Sequence, residues 1–232
     1  SIGYLWSCET GRYSLTKKLL NESKRRGINL NAKNDNDDTA LGLACANNHV
    51  EVANLLLKQS KSKNIDIFAI NIKGEDAFHF ACRRNLLEIV STFLKMPEFV
   101  FISLNDQAGN TFFNQMCSTG HTEVVQLLLE SSDDKNIEIN ARNKRGENAF
   151  YQACSNGHFQ IMRLLLESSD HKNIEINATN KKGDNAFHQA CLNGHFKIVR
   201  LFLESSDHKN IRINAKNERR NCLLSCLFKW PL

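Results

Sequence analysis

The stretch from Asn143 to Leu166 reads N-K-R-G-E-N-A-F-Y-Q-A-C-S-N-G-H-F-Q-I-M-R-L-L-L. It returns 37 residues later, from Asn180 to Leu203, as N-K-K-G-D-N-A-F-H-Q-A-C-L-N-G-H-F-K-I-V-R-L-F-L. Weaker copies surround Cys8, Cys45, Cys82 and Cys117. Self-similarity at a fixed period of this size decides the architecture before any single residue is weighed. Each copy opens on a turn whose glycine, Gly146 or Gly183, supplies a positive φ at the tip. A residue suited to cap a helix follows: Thr39, Asp76, Thr111, Asn148 or Asn185 in successive copies. A short amphipathic helix comes next, with Phe187, Ala190 and Cys191 on one stripe in the last copy. It ends at Gly11, Asn48, Asn85, Gly120, Gly157 or Gly194, the two residue types that most easily enter the left-handed region.

A second helix carries Ile198, Val199, Phe202 and Leu203 on its apolar face. A polar segment, E-S-S-D-H-K-N, is expected as a loop leading to Ile211 and Ile213, which alternate as in a short strand. The same pair recurs at Ile28/Leu30, Ile65/Ile67, Ile102/Leu104, Ile137/Ile139 and Ile174/Ile176. Helices shorter than about 12–15 residues are marginal alone, so the units must stack and bury their apolar faces on one another. The expectation is an all-α solenoid of stacked helix-turn-helix units with short β-hairpin fingers. Its single domain over 1–232 divides into a partial repeat over 1–33, full repeats over 34–70, 71–105, 106–142, 143–179 and 180–216, and a partial repeat over 217–232.

Composition narrows the function classes. The chain is 41% hydrophobic, enough for a substantial core, and its formal charge of +5 is spread among interleaved signs. That balance points to neither a nucleic-acid nor a membrane protein. No apolar run approaches the length of a membrane span, and no signal-peptide pattern is present. Six of the eight cysteines occupy one register position per repeat. Register equivalents stand about 10 Å apart in a helix stack, beyond the roughly 7 Å a disulfide tolerates. They are read as small buried apolar residues with free thiols in a reducing compartment, cytoplasmic or nuclear. The sequons at Asn21 and Asn177 are accordingly read as accidental. Cys222 and Cys226 share a helix face without further ligands nearby.

Catalytic and metal constellations are missing from the sequence. There is no P-loop, GxGxxG, HExxH or GxSxG pattern. His121, His158 and His195 lie one repeat apart, too far to share a metal whose ligands sit about 2 Å away; they are read as stack histidines that bond backbone between repeats. Cys154/His158 and Cys191/His195 have the composition of a nucleophilic pair, but a cysteine buried in a stack is unreactive. No enzyme and no cofactor are expected.

The recurring pattern N-x-x-G-x-N-A-F-H-x-A-C-x-N-G-H-F-x-I-V-x-L-x-L resembles the ankyrin repeat over nearly the whole chain. Where that family has Thr-Pro-Leu-His, this chain has T-A-L-G from Thr39, D-A-F-H from Asp76, T-F-F-N from Thr111, N-A-F-Y from Asn148 and N-A-F-H from Asn185. The Gly-His step matches at Gly120-His121, Gly157-His158 and Gly194-His195. The family's proline is absent, and its Thr–His bond survives in altered form as Asp76–His79 and Asn185–His188. The segment after the second helix is four residues longer than in the usual repeat, which is expected to enlarge the loop edge. The chain opens and closes inside helix patterns without polar caps, read as a fragment of a longer array.

The resemblance implies a non-catalytic scaffold whose finger tips and inner helices hold a partner protein. Carried over by position, that surface comprises Lys144, Arg145, Glu147, Tyr151, Ser155 and Asn156 from one repeat, and Lys181, Lys182, Asp184, His188, Leu192 and Asn193 from the next. Its basic tips, which also include Arg219 and Arg220, suggest an acidic segment in the partner, while Asp35, Asp37 and Asp38 make the first finger acidic. Two alternatives stand beside this reading. Nucleic-acid or polyanion binding through the basic fingers would call for aromatic stacking residues that the fingers lack. A structural or spacing array of a larger channel, toxin or effector would bind only its own chain.

The repeat over 71–105 departs from the pattern. Its segment K-M-P-E-F-V-F replaces polar residues, and Arg83 and Arg84 stand where neighbours are small or polar. Either Phe99, Val100 and Phe101 fill space left by a shortened following finger, or Phe99 and Phe101 join Arg83 and Arg84 in an exposed interaction patch. Solvent exposure of the two phenylalanines decides between these.

Overall fold

The structure is a computed structural model that describes residues 1–101 and 104–213. The expectations for Ile102, Arg219, Arg220, Cys222, Cys226 and the closing partial repeat lie outside the described residues. The chain divides into two units, Ser1–Val100 and Phe101–Leu232.

The N-terminal unit holds α1 (Ile2–Glu9), α2 (Tyr13–Arg26), α3 (Ala40–Ala46), α4 (Val50–Lys63), α5 (Ala77–Arg83) and α6 (Leu87–Lys95). The C-terminal unit holds α7 (Phe112–Thr119), α8 (Thr122–Glu130), α9 (Ser132–Lys135), α10 (Ala149–Ser155), α11 (Phe159–Lys172), α12 (Ala186–Asn193) and α13 (Phe196–Lys209). First helices pack on first helices, α1 on α3 on α5 and α7 on α10 on α12. Second helices follow the same rule, α2 on α4 on α6 and α8 on α11 on α13. Each unit is thus an all-α solenoid, its core formed where Phe78, Phe112, Phe150, Phe187 and Phe202 are sealed between layers.

Local chemistry sets each first helix. The side chains of Thr39, Asp76, Thr111, Asn148 and Asn185 each accept the backbone N–H of the third helical residue, satisfying a donor the helix cannot. Asparagine adds a second bond. The Asn148 amide also donates to Glu175 O at 3.0 Å, and the Asn185 amide to Arg212 O at 2.8 Å, so one side chain caps its own helix and ties down the segment that closes the same repeat. Asp76 and Asn185 form reciprocal boxes with His79 and His188, the pairings expected from sequence. All six residues expected to end the first helices in the left-handed region have positive φ.

Of the three stack histidines expected from sequence, His158 and His195 take that role and His49 joins them, whereas the His121 ring makes no such bond among the described residues. His49 Nε2 lies 2.9 Å from Glu9 O, His158 Nε2 2.8 Å from Ser118 O, and His195 Nε2 3.0 Å from Ser155 O. A carbonyl only accepts, so Nε2 carries the proton in each. A further ladder runs along the loops. The Asn140 amide donates to Asn173 O while its oxygen accepts from Glu175 N, both at 2.9 Å. Asn31 and Asn177 repeat this bridge, which engages both ends of the Asn177 sequon amide.

Three expectations are corrected. First, E-S-S-D-H-K is helical rather than a loop: α11 and α13 continue through Lys172 and Lys209. Four extra residues add about one turn. The buried Ser169 accepts from the left-handed Asn173 and from Ile174, closing the helix instead of the loop edge. Second, the fingers have no paired strands among the described residues, only the isolated bridges Lys33–Thr39 and Thr179–Asn185. Asn34, Asn71, Asp106, Asn143 and Asn180 each take the N–H groups two and four residues on with one side-chain oxygen, replacing hairpin rungs. Ile176 N and Ile213 N also bond two residues back, which bends these segments. Third, Cys8, Cys45, Cys82, Cys117 and Cys154 are free and buried, but Cys191 is disulfide-bonded, against the expectation that all register cysteines are free. Its described register equivalents are all unbridged, as their spacing requires.

The irregular repeat has a physical cause. Pro97 cannot continue α6, and Met96 before it is extended at ψ 124, so the helix stops at Lys95. Phe99, 3% exposed, folds back onto Phe78 (4.7 Å between ring centroids), Phe93 (5.5 Å) and Phe68 (6.1 Å). Phe68 occupies the register position of the ladder asparagine Asn31, so this repeat exchanges a polar bridge for aromatic packing. Phe101 is buried as well and lies against Phe112. Phe99 and Phe101 therefore fill space and form no exposed patch; Val100 alone of the three projects, 75% exposed.

Candidate functional site

The finger turns of Asn143–Glu147 and Asn180–Asp184 are stitched by Lys181 N donating to Arg145 O at 2.9 Å. Between these turns and the first helices α10 and α12 lies a cleft of about 620 Å³. Its walls are Lys144, Arg145, Glu147, Tyr151, Asn180, Lys181, Lys182, Asp184, Gln189 and Leu192. Eight of these ten were expected from sequence; Asn180 and Gln189 were not.

The side chains divide by role. Lys144, Arg145, Lys181 and Lys182 line the opening and present four cations around it. Glu147 is buried and accepts from Asn143 Nδ2 (2.9 Å), Gln152 Nε2 (2.6 Å) and Arg145 (3.2 Å). Its charge is spent on the finger's own framework. Asp184, half-buried, is the other carboxylate. Tyr151 is 4% exposed and forms part of the floor; its hydroxyl accepts from Asn180 Nδ2 at 2.8 Å. Burial first, then the charges of Glu147 and Asp184, raises its pKa far above the usual phenol value, so it stays protonated. Leu192 and Gln189 complete a wall on α12.

The other expected residues fall elsewhere. His188 is buried, with Nδ1 accepting from Asn185 N at 3.1 Å, so it belongs to the helix cap and is unavailable to a partner. Ser155 offers its carbonyl to His195 and Asn193, and Asn156 bonds back to Gln152 O. These do not line the cleft. In the N-terminal unit Arg83 pairs with Glu75, while Arg84 is not part of that pair. A different apolar feature appears there: Ile72, at the tip of its finger, is 65% exposed, and Ile70 is exposed beside it. Both are isoleucines in a finger whose equivalents are polar, a signal overshadowed in the sequence by the neighbouring phenylalanines.

No described group of three or more His, Cys, Asp or Glu residues is arranged to hold a metal ion. The cysteine of the Cys154/His158 pair donates Sγ–H to Ala186 O at 2.8 Å, and burial raises its pKa. Burial also pushes the Cys8 thiol up to about 11 and the Cys45 thiol up to about 12. None of these is a poised nucleophile. No described helix is long and apolar enough to cross a membrane.

A family model described as ankyrin repeats (3 copies) matches residues 4–100, 63–140, 79–180 and 114–217. The chain belongs to the ankyrin-repeat family. Similar solved structures include the ankyrin repeat domain of Bcl-3, described as a unique member of the IkappaB protein family. That match is 23% identical with a TM-score of 0.72, covering 96% of this chain and 92% of that one. The human ASB11 ankyrin repeat domain is 18% identical with a TM-score of 0.72, covering 99% and 98%. A chain from the complex of the Bd0816 predatory endopeptidase of Bdellovibrio bacteriovorus with immunity protein Bd3460 is 22% identical with a TM-score of 0.68, covering 88% and 98%. Such identities speak to fold alone. No curated protein sequence matches the chain.

Proposed function

We propose that this chain is a non-catalytic interaction scaffold that holds an acidic segment of a partner protein in the cleft between its basic fingers. The observation that carries this reading is the imbalance of charge at the cleft. Four cations surround it, and one of its two carboxylates, Glu147, is already committed to neighbouring donors. An incoming carboxylate therefore meets net positive potential above a partly apolar floor of Tyr151 and Leu192. Positive rims of this kind steer association and fix register more than they add affinity, so several repeats share the contact. Membership of the ankyrin-repeat family supports a binding role, and the similar chain from the endopeptidase–immunity protein complex is consistent with it.

The test is a titration with a short peptide of alternating Glu and Gly against the wild-type chain and a Lys144/Arg145/Lys181/Lys182→Glu variant, at low and physiological salt. Wild type binds, binding weakens with salt, and the variant loses it. Equal binding by both chains would remove the cleft from consideration. Tighter binding of a single-stranded oligonucleotide than of the peptide would favour the polyanion alternative.

A further inference from the structure

The third residue of each first helix stands beside that helix's own cap, and a side chain of the right length can close back on it. His79 and His188 do so. Asn114 reaches forward and donates to Ala141 O at 3.1 Å, and Gly42 has no side chain to offer. Tyr151 is different. Its backbone N–H is taken by Asn148, but its ring is too long to fold onto the helix end, and its hydroxyl arrives in the cleft beside Asn180.

There the hydroxyl accepts one bond from Asn180 Nδ2, the only hydrogen bond it makes among the described residues. Its own proton has no acceptor among them. A phenol has one donor and can accept as well, and this donor opens into the cleft, where a bound group can receive it. The surrounding charges say what arrives. Lys144, Arg145, Lys181 and Lys182 all line the cleft and are exposed. Four basic residues would not attract a cation, and a neutral acceptor would leave them uncompensated. The same hydroxyl is held protonated by its burial and by neighbouring carboxylates, so it remains a donor across the physiological range.

We infer that the Tyr151 hydroxyl is the specificity-determining donor of this cleft, hydrogen-bonding one carboxylate side chain of the bound acidic segment, while the four basic residues neutralise it. The inference rests on the proposed acidic partner and sharpens it. The basic residues alone would accept any negative stretch; a single fixed donor on the floor demands one anionic group at one register. An uncharged amide oxygen also accepts from a phenol, but less strongly than a carboxylate, so the fixed donor adds register to the charge discrimination that the four cations supply.

The experiment uses three peptides of identical length: alternating Glu and Gly, its Gln counterpart, and a counterpart with one phosphoserine. Each is titrated against the wild-type chain, Tyr151→Phe and the Lys144/Arg145/Lys181/Lys182→Glu variant, with thermal unfolding followed in parallel. Phenylalanine keeps the ring and removes the hydroxyl, both as a donor and as the acceptor of Asn180 Nδ2. Tyr151→His supplies a second route, because histidine at this position folds back onto the cap in two other repeats. Wild type is expected to prefer the Glu peptide over the Gln peptide, and tighter binding of the phosphoserine peptide than of the Glu peptide would overturn the carboxylate assignment. Both tyrosine variants should lose about tenfold in affinity for the Glu peptide and less for the Gln peptide, whose neutral amide oxygen accepts a weaker bond. If Tyr151→Phe binds the anionic peptide as wild type does while the charge variant loses it, the donor role is wrong and the acidic-partner reading survives. If wild type binds no anionic peptide even at low salt, both fail together.

Discussion

Replacing Gly157 by alanine tests how the stack is held. Gly157 ends the turn after α10 at φ +77, and a Cβ there would stand 2.7 Å from Cε1 of His195 and 2.8 Å from Nδ1. Two costs combine. A side chain in the left-handed region costs about 1–2 kcal/mol. Moving the His195 ring aside breaks its 3.0 Å bond to Ser155 O, worth about 1 kcal/mol net. Gly157→Ala should therefore lower unfolding free energy by about 2–3 kcal/mol. Gly27 provides the control, with φ +59 and nothing within 4 Å of an added methyl, so Gly27→Ala should cost only the conformational part, about 1 kcal/mol. Urea unfolding followed by circular dichroism measures both. In a His195→Ala background the clash is gone, and Gly157→Ala should again cost only about 1 kcal/mol. Equal losses for Gly157→Ala and Gly27→Ala, or no relief in the His195→Ala background, would refute the packing account.

Three further outcomes follow from the same structure. Asn148→Ala removes both a cap and the bond to Glu175 O and should destabilise by about 2 kcal/mol; Asn148→Thr keeps the cap, as Thr39 and Thr111 do, and should lose about half that, both read from urea midpoints. Phe99→Ala empties an aromatic cluster and should cost about 3–5 kcal/mol, whereas Val100→Ala next to it should fall within about 0.5 kcal/mol. Burial lowers the pKa of His121, with Glu123 opposing and His158 assisting. The folded chain thus binds this proton less readily than the unfolded chain, so the histidine's contribution is complete above about pH 6.5 and is lost as pH falls through the lower folded value; His121→Gln should flatten that part of the stability curve.

Much of this fold was legible in the sequence because its signals repeat in register. The capping residues from Thr39 to Asn185, the Gly and Asn helix ends, and the stack histidines His158 and His195 each have one local mechanism, and each does in the structure what that mechanism requires; His121 alone of the expected set does not. Misreadings came where two local choices compete. E-S-S-D-H-K is polar enough to read as loop, yet its buried serine and terminal asparagine make a good helix end. The isoleucine pairs alternate like strands, but finger asparagines had already taken the backbone donors that a hairpin needs. Pro97 stood in plain view as the terminator of α6, and the burial of Phe99 follows from it.

The candidate site was readable as positions but not as roles. Family register placed Lys144, Arg145, Lys181, Lys182 and Leu192 on one surface, and they do line one cleft. Register could not separate His188, which closes on its cap, from Tyr151 at the equivalent position, whose longer ring enters the cleft. Nor could it show Asn180 as the partner of that hydroxyl, since its turn role alone explains an asparagine there. Those distinctions depend on side-chain reach, which a pattern of residue types does not carry.

The most direct test of the proposed role is amide hydrogen exchange of the chain with and without the partner protein recovered from its source cell. Binding through the basic cleft should slow exchange in the turns 143–147 and 180–184 and along the faces of α10 and α12 that line it. Protection confined instead to the finger at 71–75, around the exposed Ile72, with the basic turns unchanged, would contradict it.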